Sequence, residues 1–252
     1  MILLKSQSEI EKMRLSGRAV ARTLRIMGEA IDPGKTSTAD LNQIAELVMA
    51  EMGARPAFKG YRGYPAAACI SVNNEVVHGI PAARILQEGD IVGLDVGACI
   101  DGYYADAAWT YPVGTVSSET QRLMNVTLES LWQGIAQAKD GNSVGDISHA
   151  VQRYVEKNGY SIVKDLSGHG IGRALHEDPS ISNFGKAGSG ERLKSGMTLC
   201  IEPMVNMGNW KVHSLSDRWT IVTDDGSLSA HYEHTVAISR DGAVILTTED
   251  ET

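Results

Sequence analysis

Apolar residues recur every three or four positions in four stretches of the chain, the spacing that is typical of amphipathic helices. The first helix is predicted to begin at a capping box in residues 8–11 and to end before the Asp-Pro-Gly sequence at residues 32–34. The second covers about residues 38–52, the third begins at Ser118, and the fourth covers about residues 146–157. Strand-like sequence follows each pair of helices, which predicts an α+β fold.

The stretch at residues 94–108 combines apolar, strand-like sequence with two aspartates, Asp95 and Asp106. Between them lies Asp-Gly at residues 101–102, the dipeptide preferred in a two-residue type I′ hairpin. This turn would place Gly97 opposite Asp106, so that both carboxylates lie on one face, with Cα atoms about 7–8 Å apart. Two anions on a dry face repel each other, and a divalent cation would remove the conflict. The alternative is that both aspartates are solvated.

The order of helix, helix and strands occurs twice, in halves at about residues 1–114 and 115–252. Asp40 and Gly53 in the first half correspond to Asp146 and Gly159 in the second, at a constant offset. No linker or low-complexity segment separates the halves. The whole chain, residues 1–252, is therefore predicted to form a single catalytic domain.

The repeat also relates the acidic residues, because Asp95 and Asp106 correspond to Glu202 and Glu233. Pseudo-twofold symmetry would bring the four carboxylates to one point, where two divalent ions would offset their charge. His169 lies among glycines, which allow a close approach to an ion, and is the predicted nitrogen ligand. Such a ligand set favours Mn(II), Fe(II) or Co(II), with Zn(II) also allowed. Two ions about 3.5–4 Å apart would convert a bridging water to hydroxide near neutral pH.

His78 and His176 occupy paired positions in the repeat, one on each side of the predicted ions. They could bond the peptide nitrogen and the carbonyl oxygen of a substrate, or they could be loop histidines without a role. Four further residues could line an apolar pocket beside the ions or could belong to the core: Tyr61, Tyr64, Cys69 and Trp219.

The composition argues against several classes of protein. A net charge of −8 argues against direct binding of nucleic acid, which needs a basic face. No apolar run approaches the length of a membrane span, and the apolar start of the chain is too short for a signal peptide. The three cysteines are far apart and odd in number, which predicts reduced thiols in a cytoplasmic protein.

With these residues placed, the chain resembles the type I methionine aminopeptidases, which are pita-bread metallopeptidases. The resemblance covers essentially the whole chain. It implies a pita-bread fold with two pseudo-symmetric halves, each with two helices packed on an antiparallel sheet. It also implies removal of the N-terminal methionine from nascent proteins and peptides whose second residue is small. The motifs that carry it are YRGYP (61–65), NEVVHGIP (74–81), SGHGIG (167–172), LHE (175–177), EP (202–203) and EH (233–234), together with the two aspartates.

The resemblance further implies a role for each ligand. Asp106 and Glu233 would bridge the two ions, Asp95 would chelate one of them, and His169 with Glu202 would hold the other. Glu202 would also transfer the proton of the attacking water. The α-amine of the substrate would bind at the ion held by Asp95, so that only a free N-terminus is cleaved.

The resemblance also implies which residues contact the substrate and which partners the protein has. His176 would stabilise the tetrahedral oxyanion, and His78 would contact the peptide beyond the methionine. Leu175, beside the catalytic histidine, stands where the family commonly has phenylalanine, and Arg218 stands where glycine is frequent.

The expected partners are nascent polypeptide N-termini and, transiently, the ribosome, and the expected state is a monomer. Two alternatives remain: a pita-bread peptidase specific for Xaa-Pro bonds, and a binding protein of this fold without activity.

Overall fold

The computed structural model describes residues 2–249, and four α-helices lie within this part of the chain. Three of them begin with a capping box, in which a serine and an acidic residue satisfy each other's backbone N–H groups. The helices are α1 (Gln7–Glu29), α2 (Thr38–Glu51), α3 (Ser118–Ile135) and α4 (Val144–Lys157). None of the helices described here is both long and apolar enough to cross a membrane.

The capping box predicted at residues 8–11 is wrong by two positions. The N-cap of α1 is Ser6, whose hydroxyl accepts a hydrogen bond from the Glu9 N–H while the Glu9 carboxylate accepts one from the Ser6 N–H. The sequence Ser-x-x-Glu fits both positions equally well, so local pattern could not choose between them.

Strands of the first half follow α2 and include the long hairpin predicted around the two aspartates. They are β1 (Arg55–Pro56), β2 (Ala68–Val72), β3 (Glu75–Val77), β4 (Ile91–Ile100) and β5 (Tyr103–Pro112), with a short 3-10 turn at Tyr61–Gly63. Strands of the second half follow α4. They are β6 (Ser161–Ile162), β7 (Ser167–Gly170), β8 (Glu177–Ser182), β9 (Thr198–Ile201), β10 (Met204–Asn206), β11 (Val212–Ser214), β12 (Ile221–Thr223), β13 (Ser229–His231), β14 (His234–Ile238) and β15 (Ala243–Ile245).

All described strand pairs are antiparallel. In the first half, β4 lies between β1 and β2 and also pairs with β5. In the second half, five strands follow the order β15-β14-β9-β7-β8. Two smaller sheets, β13-β10-β6 and β11-β12-β3, complete the described set, and the second one joins the halves because β12 pairs with β3.

The hairpin between β4 and β5 has the predicted register. Asp101 and Gly102 form the turn with φ values of 52° and 80°, as a type I′ turn requires. Gly97 pairs with Asp106, and Asp95 pairs with Ala108 one step along the same face. The two carboxylates therefore lie on one face, as the hairpin predicts.

The two helices of each half pack on antiparallel sheet, which confirms the predicted architecture, although the second pair covers two sheets instead of one. Side chains of α1 and α2 pack on β4 and β5 around Leu94, and those of α3 and α4 pack on β9, β10 and β14 around Ile201. A third apolar cluster lies between these layers and includes Tyr64, Cys69 and Leu175, which places predicted pocket residues at the interface of the two halves.

Replacement of Leu94 by alanine is expected to lower the free energy of unfolding by about 2–5 kcal/mol, because it leaves a cavity in the middle of β4. The Leu94 side chain is 0% exposed and packs in the apolar cluster beneath α1 and α2. Urea unfolding followed by circular dichroism measures the change. Leu47→Ala on α2 is the control, since Leu47 is 65% exposed and its loss should change stability by less than about 0.5 kcal/mol. Equal losses in both variants would contradict this account of the core.

Candidate active site

One cavity of about 180 Å³ lies between the two halves, and every site residue predicted from the sequence lines it. The carboxylates come from β4, from β5 and from the ends of the second-half strands, so that neither half forms the site alone. The predicted residues in its wall are Tyr61, Tyr64, Cys69, His78, Asp95, Asp106, His169, Leu175, His176, Glu202, Trp219 and Glu233.

Four possible metal ligands lie close together, and three of them line the cavity. Ligand atoms of Asp106, His169, Cys200 and Glu233 all lie within 4.8 Å of one another, and all four residues are buried. The His169 Nε2 atom lies 4.0 Å from Asp106 Oδ2 and 3.7 Å from Glu202 Oε1. Three of the five predicted ligands, Asp106, His169 and Glu233, belong to this cluster, and the fourth member is Cys200.

Backbone contacts between the halves hold these side chains in place. The Asp106 N–H donates to the Thr235 hydroxyl at 3.0 Å, and this hydroxyl donates to the Asp106 carbonyl at 2.7 Å. The Glu233 N–H donates to the Ala108 carbonyl at 2.8 Å. The contact of His169 Nδ1 with the Gly170 carbonyl at 2.8 Å is the kind that makes Nδ1 the donor, and it leaves the Nε2 lone pair directed at the carboxylates.

The donor atoms of this cluster fit a hard divalent cation. Asp95 Oδ1, Asp106 Oδ1 and Glu233 Oε1 are buried and have no hydrogen-bond partner among the described residues. Buried polar oxygens without a partner are rare in proteins because their desolvation is uncompensated. Carboxylate oxygens with one imidazole nitrogen are the ligands that such ions take, and cations held by these residues would offset the uncompensated charge.

Electrostatics lead to the same conclusion. Burial raises the pKa of Asp95 to about 7. Burial, followed by the nearby carboxylates, holds the pKa values of Asp106, Glu202 and Glu233 well above the ordinary range. The pKa of His169 is lowered, again mainly by burial. In the absence of a cation, the carboxyl groups therefore favour their protonated forms and His169 favours its neutral form. A bound cation would favour the charged carboxylates instead.

The histidines predicted to act on substrate lie above the carboxylates. The His176 ring stacks on Tyr61 with centroids 5.2 Å apart and lies 4.1 Å from the His169 ring. Burial lowers the pKa of His176 to about 3, so that its imidazole is neutral near neutral pH. His78 has a φ of 60°, a left-handed conformation that is strained for this residue type and that is found preferentially at functional sites.

Aromatic rings form the opposite wall. The Tyr64 and Trp219 rings meet edge to face at 5.0 Å, and the Tyr64 hydroxyl donates to the Gly79 carbonyl at 2.9 Å. Cys69 is buried beside Tyr64, and Arg218, which precedes Trp219, has a φ of 68°. Arg218 thus takes the left-handed backbone conformation for which glycine is favoured, so the arginine does not prevent the loop from presenting Trp219 to the cavity.

Two residues with possible metal-binding atoms were missed from the sequence. His231 lines the cavity with its Nε2 atom 3.9 Å from Glu202 Oε2, and that nitrogen has no hydrogen-bond partner in the described part of the chain. Cys200 belongs to the ligand cluster. Each lies two residues before a predicted glutamate ligand, and strand alternation would have placed both on the ligand face. The cavity also includes Phe58, Arg62, Val77, Leu166, Ser167 and Met204.

Other sequence predictions concern residues outside the site. His234 points away from the cavity, as strand alternation predicts, and its Nδ1 atom contacts the Thr247 hydroxyl at 2.8 Å. His149 is exposed on α4, and His213 is exposed beside Asp224. The three cysteines, all within the described residues, are free, as predicted.

The fold and the buried ligands define a metal-dependent peptidase, and comparisons with known proteins agree. The sequence model of the family described as "Metallopeptidase family M24" matches residues 11–240. The methionine aminopeptidase of Clostridium perfringens is 51% identical over 98% of this chain and 99% of its own length. Methionine aminopeptidase 1 of Bacillus subtilis is 50% identical with the same coverage. The chain therefore belongs to metallopeptidase family M24, among the methionine aminopeptidases, which are hydrolases.

Solved structures support the same fold. The crystal structure of the Thermotoga maritima methionine aminopeptidase superimposes with a TM-score of 0.97 at 48% identity, over 99% of this chain and 100% of that one. The prolidase of Pyrococcus furiosus superimposes with a TM-score of 0.80 at 24% identity, over 98% of this chain and 66% of that one. The prolidase is similar in fold alone, and the pita-bread architecture predicted from the sequence is confirmed.

Proposed function

We propose that this protein removes the N-terminal methionine from nascent proteins and peptides whose second residue is small, and that it does so in the cytoplasm as a single catalytic domain. The observation that carries the proposal is the group of buried, unpartnered carboxylate oxygens at the base of a cavity walled by aromatic side chains. Membership of the methionine aminopeptidases agrees with it.

The proposed cofactor is a pair of divalent metal ions, with Mn(II), Fe(II) and Co(II) favoured and Zn(II) as a further candidate. Asp106 and Glu233 would be shared between the ions, Asp95 would hold one, and His169 with Glu202 would hold the other. When bound, the ions supply Lewis acidity and a water of lowered pKa. The closeness of Asp106, Glu233 and His169 supports this assignment.

Glu202 is the proposed proton carrier. Its Oε2 atom would accept a proton from the attacking water and deliver it to the nitrogen of the leaving peptide. The support is its position: Glu202 lines the cavity, and its Oε1 atom faces His169 while its Oε2 atom faces His231.

His176 and His78 are proposed to act on the peptide itself. An imidazole N–H of His176 would donate to the oxyanion that forms on the methionine carbonyl, and stacking on Tyr61 holds that ring in place. His78 would bond the peptide beyond the methionine. The His78 ring lies beside the aromatic wall, with its centroid 6.4 Å from that of the Trp219 ring.

The methionine side chain would lie against the aromatic wall, because a thioether packs favourably beside aromatic rings. The proposed contacts are Tyr61, Tyr64, Cys69, Leu175 and Trp219. The α-amine, in its neutral form, would bind at the ion held by Asp95, because only the unprotonated nitrogen has a lone pair to offer a metal. A transient contact with the ribosome and a monomeric state stay predictions.

The proposal is tested with metal-stripped protein and two peptides, Met-Ala-Ser and Ala-Pro-Ser. Addition of Mn(II), Fe(II) or Co(II) is expected to restore release of methionine from the first peptide and to leave the second uncleaved. Amino-acid analysis of the products measures both reactions. Cleavage of Ala-Pro-Ser alone would indicate an Xaa-Pro peptidase, and binding of metal without turnover of either peptide would indicate a protein without this activity.

A further inference from the structure

An ion pair beside the cavity has no part in the chemistry proposed above. Lys5 is only 7% exposed, and its ammonium forms an ion pair with Glu177 Oε2 and donates to the Leu3 carbonyl at 3.1 Å. The two residues are 172 positions apart in sequence, and Glu177 directly follows His176. A buried ion pair has a large desolvation penalty, so its presence next to a proposed catalytic residue needs a reason.

Glu177 closes the loop that carries His176. Its second oxygen, Oε1, accepts hydrogen bonds from the N–H groups of Arg173 at 2.7 Å and Ala174 at 3.1 Å. The end of the Lys5 side chain packs directly against the backbone at Gly172, where a Cβ would contact it. The loop at residues 172–177 is therefore folded around the Lys5 ammonium, with one carboxylate joining both of its ends.

The loop and Lys5 are both anchored to other elements. The Gly172 carbonyl accepts a hydrogen bond from the Tyr104 N–H, next to the start of β5, at 2.8 Å. The Lys5 N–H donates to the Gly196 carbonyl at 2.7 Å, in the turn before β9. The ion pair thus connects two fixed parts of the structure, and the loop between them cannot shift without breaking it.

We infer that Lys5 and Glu177 are positioning residues, which hold the 172–177 loop so that the His176 imidazole stays fixed over the carboxylate cluster. The inference rests on the proposed role of His176. Donors to a developing oxyanion act only when they are held in place, and a displacement of about 1 Å can lower a rate by about 10²-fold. Leu175, in the same loop, contributes to the apolar wall, so KM is measured together with kcat.

Glu177→Ala is expected to lower kcat for Met-Ala-Ser by about 10- to 100-fold and to change KM by less than about threefold. Glu177→Gln should lose less, because its amide oxygen still accepts hydrogen bonds from Arg173 and Ala174. Lys5→Met removes the charge from the other side and tests the same contact if the Glu177 variants do not fold. Bound metal, measured by titration calorimetry, should be unchanged, since neither residue is a proposed ligand.

The decisive measurement repeats Glu177→Ala in a His176→Ala background. A residue that acts through His176 should cause no further loss of kcat there, whereas a residue that merely supports the fold should cause the same loss in both backgrounds. Lys35→Gln, which breaks an exposed ion pair with Asp32, is the control and should keep the kcat of the unmodified protein. The inference is wrong if Glu177→Ala and Lys5→Met keep kcat within twofold, or if the losses are equal in both backgrounds. If the unmodified protein releases no methionine, the proposed function itself has failed.

Discussion

Asp106→Asn is expected to abolish the release of methionine from Met-Ala-Ser at any concentration of added metal. Asp106 lies in the middle of the cluster, where Asp95, Glu233 and His169 all approach it. A carboxamide has nearly the same size but carries no charge and has one oxygen instead of two, so it cannot be shared between two cations. The measurement is methionine release together with the number of metal ions bound per chain, which should fall below two.

Asp101→Asn is the matched control, because Asp101 lies in the same hairpin and Asn-Gly forms the same type I′ turn. It should keep both activity and metal content. Normal turnover by the Asp106→Asn protein, with two ions bound, would contradict the proposed two-metal site. Loss of activity in both variants would instead indicate that the hairpin tolerates no substitution. The loss in the Asp106→Asn protein would then not support a role of Asp106 as a metal ligand.

The sequence could predict the centre of this fold because the decisive information is local. The dipeptide Asp101-Gly102 specifies the turn, the turn specifies the register, and the register places Asp95 and Asp106 on one face. The same reasoning could not decide between two equivalent Ser-x-x-Glu patterns at the start of α1. The structure caps α1 at Ser6, and Lys5, the residue just before this cap, pairs with Glu177.

Local sequence patterns also predict most of the candidate site. All predicted site residues meet at one cavity, because the repeat and the motifs carry them. His231 and Cys200 needed a further step, the alternation of side chains along a strand next to a known ligand. Arg62 lies in the YRGYP motif and Glu177 in the LHE motif, but no local pattern predicts the pairing of Glu177 with Lys5. Their positions depend on contacts between segments distant in sequence, which only the folded chain brings together.

His176→Ala is expected to lower kcat for Met-Ala-Ser by about 10²–10³-fold, as the loss of one oxyanion donor does, with little change in KM. Its ring stacks on Tyr61 within the cavity, so that alanine removes the donor without removing a proposed metal ligand. Steady-state kinetics with metal content measured in parallel tests the expectation. His213→Ala, at an exposed histidine outside the cavity, is the control and should behave as the unmodified protein does. A change confined to KM would show that His176 binds the substrate in its ground state and does not stabilise the oxyanion.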